Sequence, residues 1–340
     1  MSQLPSSHRA LTAVNEPKGF KLVEKPLPTV GDNEILIKVR ATSLNPTDWK
    51  HVHSGSLKDG SSTGSDFAGD VVKVGSGAEG QGIKVGDAVA GVVRGGYVDD
   101  TNGAFQEYVK SHVDSVWHIP TDKLTYEQAS PMGGIALSTA VQALFNVLAL
   151  PTPWEPAKEP LPVLIWAGST SVGIYAITLA KLAGFQVATT ASHRNHEFLK
   201  KLGTDVIFDY KDPEAPKKIK EWSNGKITHA FDTISEHGST KLCGQAFSDQ
   251  GGKIVTLLPN NESGVANVTV ERTVIYTGLD PSNGDHKLIA EWYRQLPKYA
   301  TQLNVMPLKK WLGGLAALPE ALDYLKAGKT SAEKISVTYE

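Results

Sequence analysis

The chain has 340 residues, enough for two domains with separate cores, and its 40% hydrophobic and 21% charged residues are typical of a soluble globular protein. The 34 Lys and Arg residues nearly balance the 36 Asp and Glu residues, and the formal net charge of −2 gives no sign of a nucleic-acid partner or an anionic membrane surface. A single cysteine, Cys243, excludes an intrachain disulfide and a zinc lobe built from cysteines.

The N-terminus and the hydropathy indicate neither secretion nor a membrane span. The first ten residues, M-S-Q-L-P-S-S-H-R-A, lack the apolar core of a signal peptide. No stretch approaches the roughly 18 uninterrupted apolar residues that a membrane span needs. The single cysteine fits a reducing compartment, so we expect a cytoplasmic protein.

Residues 10–120 are predicted to form a β-rich domain. Polar and apolar residues alternate over 34–40 and 70–74, and glycine-rich turns separate such segments. Many short strands joined by these turns are typical of a β-barrel. Between them, Asn45-Pro-Thr-Asp48 predicts a turn or the start of a helix, because proline and aspartate favour those positions.

Two helices and a proline-rich connection follow. Thr125-Tyr-Glu-Gln128 predicts a helix that opens with a capping box, and apolar residues at helical spacing predict a second helix over 136–150. Five prolines in the twelve residues 151–162 exclude a helix and disfavour a central strand, which predicts a surface connection.

A predicted strand, a glycine-bounded loop and a helix start follow one another over 163–173, which read V-L-I-W-A-G-S-T-S-V-G. This order aims a helix N-terminus at a phosphate group. The spacing Gly168-x-Thr170-x-x-Gly173 departs from the dinucleotide-binding pattern at its middle glycine. We therefore expect the backbone to stand slightly farther from a pyrophosphate, with the hydroxyls of Ser169, Thr170 and Ser171 filling the gap.

Strands and helices then alternate, which predicts a parallel, doubly wound sheet of the Rossmann type. Ligands of such sheets lie at the carboxyl ends of the strands. The residues expected at that edge are Gly168, Ser192, Tyr210, Ile234 and Pro259. The later strands are predicted over 186–191, 205–210, 227–234, 252–258 and 273–277, with helices over 196–202, 213–222 and 239–248.

The last part of the chain is predicted to contain helices over 287–298 and 318–326 and a final strand over 334–339. We expect this tail to return to the β-rich domain. The predicted domains are thus a discontinuous β-rich domain of residues 1–124 and 283–340, and a nucleotide-binding domain of residues 125–282.

The end of the second strand of the sheet bears on the choice of nucleotide. A NAD-binding sheet usually carries an acid there to hold the ribose 2′-hydroxyl, whereas this chain reads Ser192-His193-Arg194. A 2′-phosphate carries about two negative charges and arginine binds phosphate bidentately, so NADP(H) fits better than NAD(H). The alternatives are a solvated loop or helix cap, or a site in which Arg194 faces solvent while Ser192 or His193 binds.

A metal site receives little support from the sequence. His51 and His53 form a His-x-His pair, which on a strand would point both rings to one face. No third ligand follows at a recognisable spacing, and surface or hydrogen-bonded histidines are the simpler interpretation. We predict no zinc.

Several segments together resemble the medium-chain dehydrogenase/reductase superfamily over nearly the full length of the chain. The matching segments are 45–48, 64–69, 84–89, 137–140 and 163–173. Where the zinc alcohol dehydrogenases of that superfamily carry Cys and His-Glu ligands, this chain has Asn45 and Ser65-Asp66, and the four-cysteine lobe is absent. The chain is therefore most similar to the zinc-independent branch, with its quinone and enoyl reductases. The proline-rich segment before W-A-G-S-T-S-V-G resembles fungal trans-acting enoyl reductases, which work with polyketide synthases.

The resemblance implies a GroES-like β-barrel catalytic domain, a Rossmann domain, and hydride transfer from NADPH to the β-carbon of an activated alkene. The positions on the nicotinamide and substrate side are Asn45, Asp48, Lys50 and Thr139. Lys50 is the candidate for polarising the substrate carbonyl, or else it is an ordinary surface lysine. Thr139 is expected to hydrogen-bond the nicotinamide or a backbone group. No proton donor is evident, so water is expected to protonate the α-carbon.

The resemblance also implies a set of cofactor contacts. The residues expected to cradle the pyrophosphate are Gly168, Ser169, Thr170, Ser171, Val172 and Gly173. The 2′-phosphate and adenosine should contact Ser192, His193, Arg194 and Tyr210, unless Tyr210 packs over the sheet instead. The backbone of Leu258 and Gly278, placed at the ends of later strands, should also meet the cofactor.

Other functions share parts of this pattern. A quinone or enone reductase of detoxification would have the same cofactor site and a different substrate pocket. The missing ligands disfavour a zinc alcohol dehydrogenase. A non-catalytic relative that binds NADPH and acts as a structural or RNA-binding protein is a further alternative. The balanced charge argues against the RNA-binding form. We expect a small-molecule or acyl-thioester substrate, a polyketide synthase as candidate partner, and a monomer or a homodimer paired through the edge strand near 273–277.

Overall fold

A computed structural model describes residues 4–80 and 82–339, which divide into two compact units. The first contains the residues up to 136, residues 279–282 and the residues from 289 onward, and the second contains residues 137–278 and 283–288. The sequence placed a boundary after residue 124, but the helix Tyr126–Gly133 packs closely on the sheet of the first unit. A Cβ on Gly133 would stand 2.6 Å from the backbone nitrogen of Gly91.

The elements form a β-rich part, an alternating part and a mixed tail. Up to residue 133 they are β1 (Ser7–Asn15), β2 (Lys18–Pro26), β3 (Glu34–Ser43), α1 (Pro46–Ser54), β4 (Asp66–Val74), β5 (Ala88–Val92), β6 (Tyr108–His112), β7 (Val116–His118) and α2 (Tyr126–Gly133). From 135 to 278 they are α3 (Ile135–Val141), β8 (Pro162–Trp166), α4 (Ser171–Leu182), β9 (Gln186–Thr190), α5 (His196–Lys201), β10 (Val206–Phe208), α6 (Ala215–Trp222), β11 (His229–Asp232), α7 (Ser239–Gln245), β12 (Gly252–Thr256), β13 (Val268–Arg272) and α8 (Ile275–Gly278). The tail adds α9 (His286–Leu303), β14 (Leu308–Trp311), α10 (Gly314–Lys326) and β15 (Lys334–Thr338). Within the described ranges, no helix is both long enough and apolar enough to cross a bilayer.

The first unit contains a seven-stranded sheet in the order β14-β15-β3-β4-β5-β7, with β6 also paired to β3. β1 and β2 form a separate antiparallel hairpin. β15 pairs antiparallel with β3, with Ser336 opposite Ser43, which confirms that the tail returns to the β-rich part. The core of this unit includes the fully buried side chains of Ile37, Phe67 and Val109.

The second unit is built on six parallel strands in the order β10-β9-β8-β11-β12-β13. This confirms the predicted doubly wound sheet, because helices connect parallel neighbours on both sides of β8. All five residues of β8 are buried, as expected of a central strand covered on both faces. Because these strands are parallel, their carboxyl ends share one edge of the sheet. The predicted positions after β8, β9, β10 and β11 therefore lie along that edge.

Two predicted elements differ from the structure. Residues 273–277 are not a strand: the edge strand is β13, and the short helix α8 follows it. Side-chain hydrogen bonds explain why this segment is not a strand. Thr273 Oγ1 donates to Gln142 Oε1 (2.8 Å), and Gln142 Nε2 donates to Thr277 Oγ1 (2.8 Å). These bonds draw the segment away from strand pairing in the sheet. The helix predicted over 136–150 is α3 followed by a π-helical segment, Gln142–Val147.

Candidate functional site

Two glycines shape the loop between β8 and α4. The backbone nitrogen of Gly168 donates to the carbonyl of Thr190 (3.0 Å), which ties the loop to β9. A Cβ on Gly168 would stand 2.2 Å from Thr189 Oγ1, and one on Gly173 would stand 2.6 Å from the carbonyl oxygen of Ala167. Both glycines therefore let the helix approach the strand closely, which is how dinucleotide-binding loops use theirs.

Thr170 acts as the N-cap of α4. Its Oγ1 accepts a hydrogen bond from the backbone nitrogen of Gly173 (2.9 Å) and lies 2.8 Å from Thr233 Oγ1. Its hydroxyl is thus used within the protein, because an N-cap satisfies an amide of the first turn, and the expectation that it also fills a gap toward a pyrophosphate stays a prediction. The backbone N–H groups of Ser171 and Val172 find no acceptor in the described part of the chain, and both residues are partly exposed. This helix start is suited to a phosphate group.

Replacing Gly173 with alanine is expected to lower the free energy of unfolding by about 2 kcal/mol, because the added methyl group must push α4 away from the loop. The same displacement should weaken binding of the expected cofactor, NADPH, about tenfold. Urea denaturation and a fluorescence titration measure the two effects. Gly284→Ala is the matched control, since a Cβ at Gly284 meets no atom within 4 Å. Unchanged NADPH affinity in the Gly173 variant would contradict the role assigned to this helix start.

The segment after β9 presents a hydroxyl and basic groups at the sheet edge. Ser192 is partly exposed, and His193 and Arg194 are exposed in a short 3₁₀ turn. Ser192 makes no side-chain capping bond, which argues against the helix-cap alternative. Among the residues described, no carboxylate pairs with the Arg194 guanidinium. This group is therefore available to an anionic ligand.

The neighbouring strand β10 brings two more side chains to the same edge. The backbone nitrogen of Ala191 donates to the carbonyl of Phe208 (3.0 Å), so the segments after β9 and β10 lie side by side. The Tyr210 side chain is 48% exposed, and Lys211 Nζ lies 5.9 Å from its ring centroid. The sequence analysis did not single out Lys211, although a basic residue just after the third strand of the parallel sheet was visible in the sequence.

Leu258 and Gly278 differ from the expectation that they end strands. Leu258 lies two residues beyond the end of β12, and its carbonyl accepts from Thr256 Oγ1 (3.2 Å) and Asn261 Nδ2 (3.0 Å). Gly278 ends α8, and its carbonyl accepts from His286 Nδ1 (2.9 Å). Because both carbonyls already have donors within the unit, a cofactor contact at these positions stays a prediction.

In the first unit, α1 begins where the sequence predicted a helix start. Asn45 is the N-cap, and Asp48 Oδ2 accepts from its backbone nitrogen (2.7 Å). Pro46 occupies the first helical position, where an amide hydrogen is not needed. This arrangement fixes the amino end of α1, which carries three of the residues that the sequence associated with the reaction.

His51 and His53 lie on this helix and not on a strand. Residues two apart on a helix point roughly 200° apart, so the pair does not present both rings to one face. His53 Nδ1 lies 3.0 Å from the carbonyl oxygen of Trp49, and its Nε2 lies 2.7 Å from Lys326 Nζ. Both ring nitrogens of His53 are thus used within the unit.

A buried charged cluster joins α1 to the sheet. Asp66, Lys334 and Asp48 are buried, with 0%, 2% and 5% of their surfaces exposed. Lys334 Nζ lies 3.4 Å from Asp66 Oδ2 and donates to Asn45 Oδ1 (2.6 Å). Sequence reasoning missed Lys334, because a lysine at the start of a final strand carries no signal of burial.

Two further donors hold the Asp66 carboxylate. Ser43 Oγ donates to its Oδ2 (2.7 Å), and the backbone nitrogen of Ile135 donates to its Oδ1 (2.8 Å). The second bond needs Gly134, because a Cβ there would stand 2.2 Å from the Asp66 carboxyl carbon. Both oxygens of the Asp66 carboxylate are therefore engaged within the unit.

Asp48 differs from Asp66 in its ionisation. Burial, and after it the Asp66 carboxylate, raise the pKa of Asp48 to about 8. The amide of Asn45, the Lys334 ammonium and the Ser65 hydroxyl lower the pKa without offsetting the burial. Asp48 is consequently neutral at pH 7, and the cluster then contains one cation and one anion.

Lys50 and Thr139 belong to different units. Lys50 is half-buried on α1, and its Nζ lies 5.8 Å from the ring centroid of Trp49. Thr139 is 6% exposed on α3. Their roles in the reaction stay predictions.

Comparison with protein families agrees with both units. Residues 31–121 match the family described as alcohol dehydrogenase GroES-like domain, and residues 171–265 match the family described as zinc-binding dehydrogenase. A trans-enoyl reductase of Alternaria alternata is 35% identical, with 97% of this chain and 98% of that protein covered. A trans-enoyl reductase of Pyricularia oryzae is 33% identical, with 98% of each chain covered.

Solved structures share the fold at lower identity. An alcohol dehydrogenase superfamily protein from Novosphingobium aromaticivorans superposes with a TM-score of 0.82 at 22% identity, covering 98% of this chain and 100% of the other. A quinone oxidoreductase from Coxiella burnetii gives a TM-score of 0.76 at 24% identity with the same coverage. These likenesses establish the architecture.

Proposed function

Because the chain belongs to the medium-chain dehydrogenase/reductase superfamily and is homologous to fungal trans-enoyl reductases, we propose that it is an NADPH-dependent, zinc-independent reductase of activated C=C bonds. The substrate class is an enoyl thioester or a related conjugated carbonyl. The full-length similarity to two trans-enoyl reductases carries this proposal. A polyketide synthase that presents the thioester is the proposed partner.

The preference for NADPH over NADH rests on the sheet edge after β9 and β10. Arg194 and Lys211 supply two cations there, and Ser192 supplies a hydroxyl, whereas no acid takes the place that would hold a free 2′-hydroxyl. Cations and hydroxyl donors are what a 2′-phosphate requires. We assign Ser192, His193, Arg194, Tyr210 and Lys211 to this phosphate and the adenosine, with the start of α4 binding the pyrophosphate.

The residues present do not fit a zinc ion, although one matching family is described as zinc-binding. Zinc favours thiolate and imidazole ligands, and the corresponding positions here hold an amide, Asn45, a hydroxyl, Ser65, and the engaged carboxylate of Asp66. The Lys334 ammonium already contacts Asn45 and Asp66, and it would repel a second cation. This donor set supports a reaction without metal.

The chemistry assigned to the chain is the stabilisation of a developing enolate. NADPH, when bound, would supply the hydride that forms the new C–H bond at the β-carbon. The electron pair of the C=C bond then joins the α-carbon to the carbonyl carbon, and the π pair of the carbonyl group moves onto its oxygen. We assign the Lys50 ammonium as the hydrogen-bond donor to that oxygen. Thr139 is assigned to hold the nicotinamide or the backbone beside it. Water then protonates the α-carbon, which completes the reduction.

A titration and a substrate panel test this function. Fluorescence titration should show tighter binding of NADPH than of NADH, and absorbance at 340 nm should fall with an enoyl thioester in the absence of added metal. Turnover of quinones but not of enoyl thioesters would instead assign a quinone reductase. NADPH binding without any turnover would assign a non-catalytic role, and activity that requires stoichiometric zinc would refute the proposal.

A further inference from the structure

The buried ammonium of Lys334 links the last strand of the chain to the start of α1. β15 pairs with β3 so that Ser336 lies opposite Ser43. Continuing this antiparallel register by two residues places Lys334 opposite Asn45, directly after the end of β3. Lys334 therefore reaches the N-cap of α1 because of strand pairing across 289 residues of sequence.

The Lys334 ammonium is held by contacts with two neighbouring segments of the sheet unit. Nζ donates to Asn45 Oδ1 (2.6 Å) and lies 3.4 Å from Asp66 Oδ2, and the side chain is 2% exposed. Asp66 belongs to β4 and lies opposite Ser43 of β3. One ammonium thus connects β15, which carries it, to the start of α1 and to β4.

The contact between Lys334 and Asn45 shows that more than charge balance is involved. A buried ion pair alone contributes little to stability compared with a well-packed apolar pair of similar volume. An ammonium can only donate, so it fixes the Asn45 amide with Oδ1 facing Lys334. The Asn45 Nδ2 is left buried, without an acceptor in the part of the chain described. An amide with an unsatisfied donor would reorient if its other end were released.

We infer that Lys334 is a positioning residue: its ammonium, in place of a metal ion, holds the Asn45 end of α1 and thereby the helix that carries Lys50. This inference rests on the proposed reduction for its catalytic consequence. Its structural content, the anchoring of α1, does not depend on turnover.

A matched pair of variants separates the effect of the Lys334 ammonium from the effect of the Asp66 charge. Asp66→Asn removes the counter-charge but retains the bond from Lys334 to Asn45. It also removes one cause of the raised pKa of Asp48, so that Asp48 becomes the counter-ion of Lys334. Asp66→Asn combined with Lys334→Met removes that bond as well, without leaving an unpaired buried charge. Lys310→Met, at an exposed lysine on the adjacent strand β14 that pairs with Glu127 (3.6 Å), is the surface control.

The readouts are hydrogen exchange of the peptide spanning residues 45–54, kcat with an enoyl thioester, and the Kd for NADPH. We expect Asp66→Asn to stay within threefold of the wild type in all three. In the double variant that peptide should exchange at least tenfold faster than in the wild type, and kcat should fall at least tenfold. The Kd for NADPH should stay within twofold of the wild-type value. Equal exchange and equal kcat in the two variants would overturn the inference.

The same experiment separates this inference from the proposed function. Absence of turnover by the wild-type protein would refute the reductase, and the exchange of residues 45–54 would still decide whether Lys334 anchors α1. Wild-type turnover with identical exchange in the two variants would refute the anchoring alone.

Discussion

Replacing Arg194 and Lys211 together with alanine is expected to weaken NADPH binding by about three orders of magnitude while NADH binding changes by less than about threefold. Each hydrogen bond to a charged group contributes about 1.5–3 kcal/mol, and two of them correspond to roughly a thousandfold in Kd. We expect the effect to be specific to the 2′-phosphate, because both side chains follow the adjacent strands β9 and β10 at the sheet edge. Arg194→Ala alone should lose about tenfold to a hundredfold.

Fluorescence titration of NADPH and NADH with each variant measures this discrimination. Lys217→Ala is the control, since Lys217 is an exposed cation on α6 that pairs with Glu214 (3.8 Å). Raising the salt concentration should weaken NADPH binding to the wild type more than to the double variant, because screening acts on the removed charges. Equal losses for NADPH and NADH would place these two side chains away from the 2′-phosphate.

Local patterns explain why the sequence predicted the nucleotide-binding part well. The apolar run of β8, the two glycines and the start of α4 are contiguous, so their geometry follows from residues within a short stretch. The segment after β9 was likewise interpreted from three successive residues, and its contact with a 2′-phosphate stays a prediction. The segment 273–277 was misassigned because its β-branched residues favour a strand, whereas hydrogen bonds from Gln142, more than 130 residues away, draw it out of the sheet.

The charged cluster could not be predicted in this way. Lys334, Asp66 and Asn45 come together only through the pairing of β15 with β3 and of β3 with β4. Nothing in the residues around Lys334 distinguishes it from a surface lysine, and only the register places its ammonium beside Asn45. The sequence did predict a turn or helix start at Asn45–Asp48, but the charge state of Asp48 depends on burial and on these distant partners.

Replacing Asp48 with asparagine is expected to stabilise the protein increasingly as the pH rises. The folded protein keeps the Asp48 proton up to about pH 8, whereas an ordinary aspartate, as in the unfolded chain, releases it near 3.8. Between these values the folded state binds more protons, so this group lowers the free energy of unfolding by about 1.4 kcal/mol per pH unit as the pH rises. Above about pH 8 this group no longer lowers the free energy of unfolding, and the total decrease is at most about 6 kcal/mol.

Asparagine keeps the shape of the neutral carboxyl but has no proton to lose. Its Oδ1 can accept from the backbone nitrogen of Asn45, and its Nδ2 can donate to Ser65 Oγ, the two contacts of Asp48. Urea denaturation should therefore show an advantage of the variant over the wild type that is about 3 kcal/mol larger at about pH 8.5 than at about pH 5.5. Asp122→Asn, at an exposed position, should show no such trend. An advantage that does not change with pH would mean that Asp48 is ionised in the folded protein, which would leave two buried anions for the single cation of Lys334.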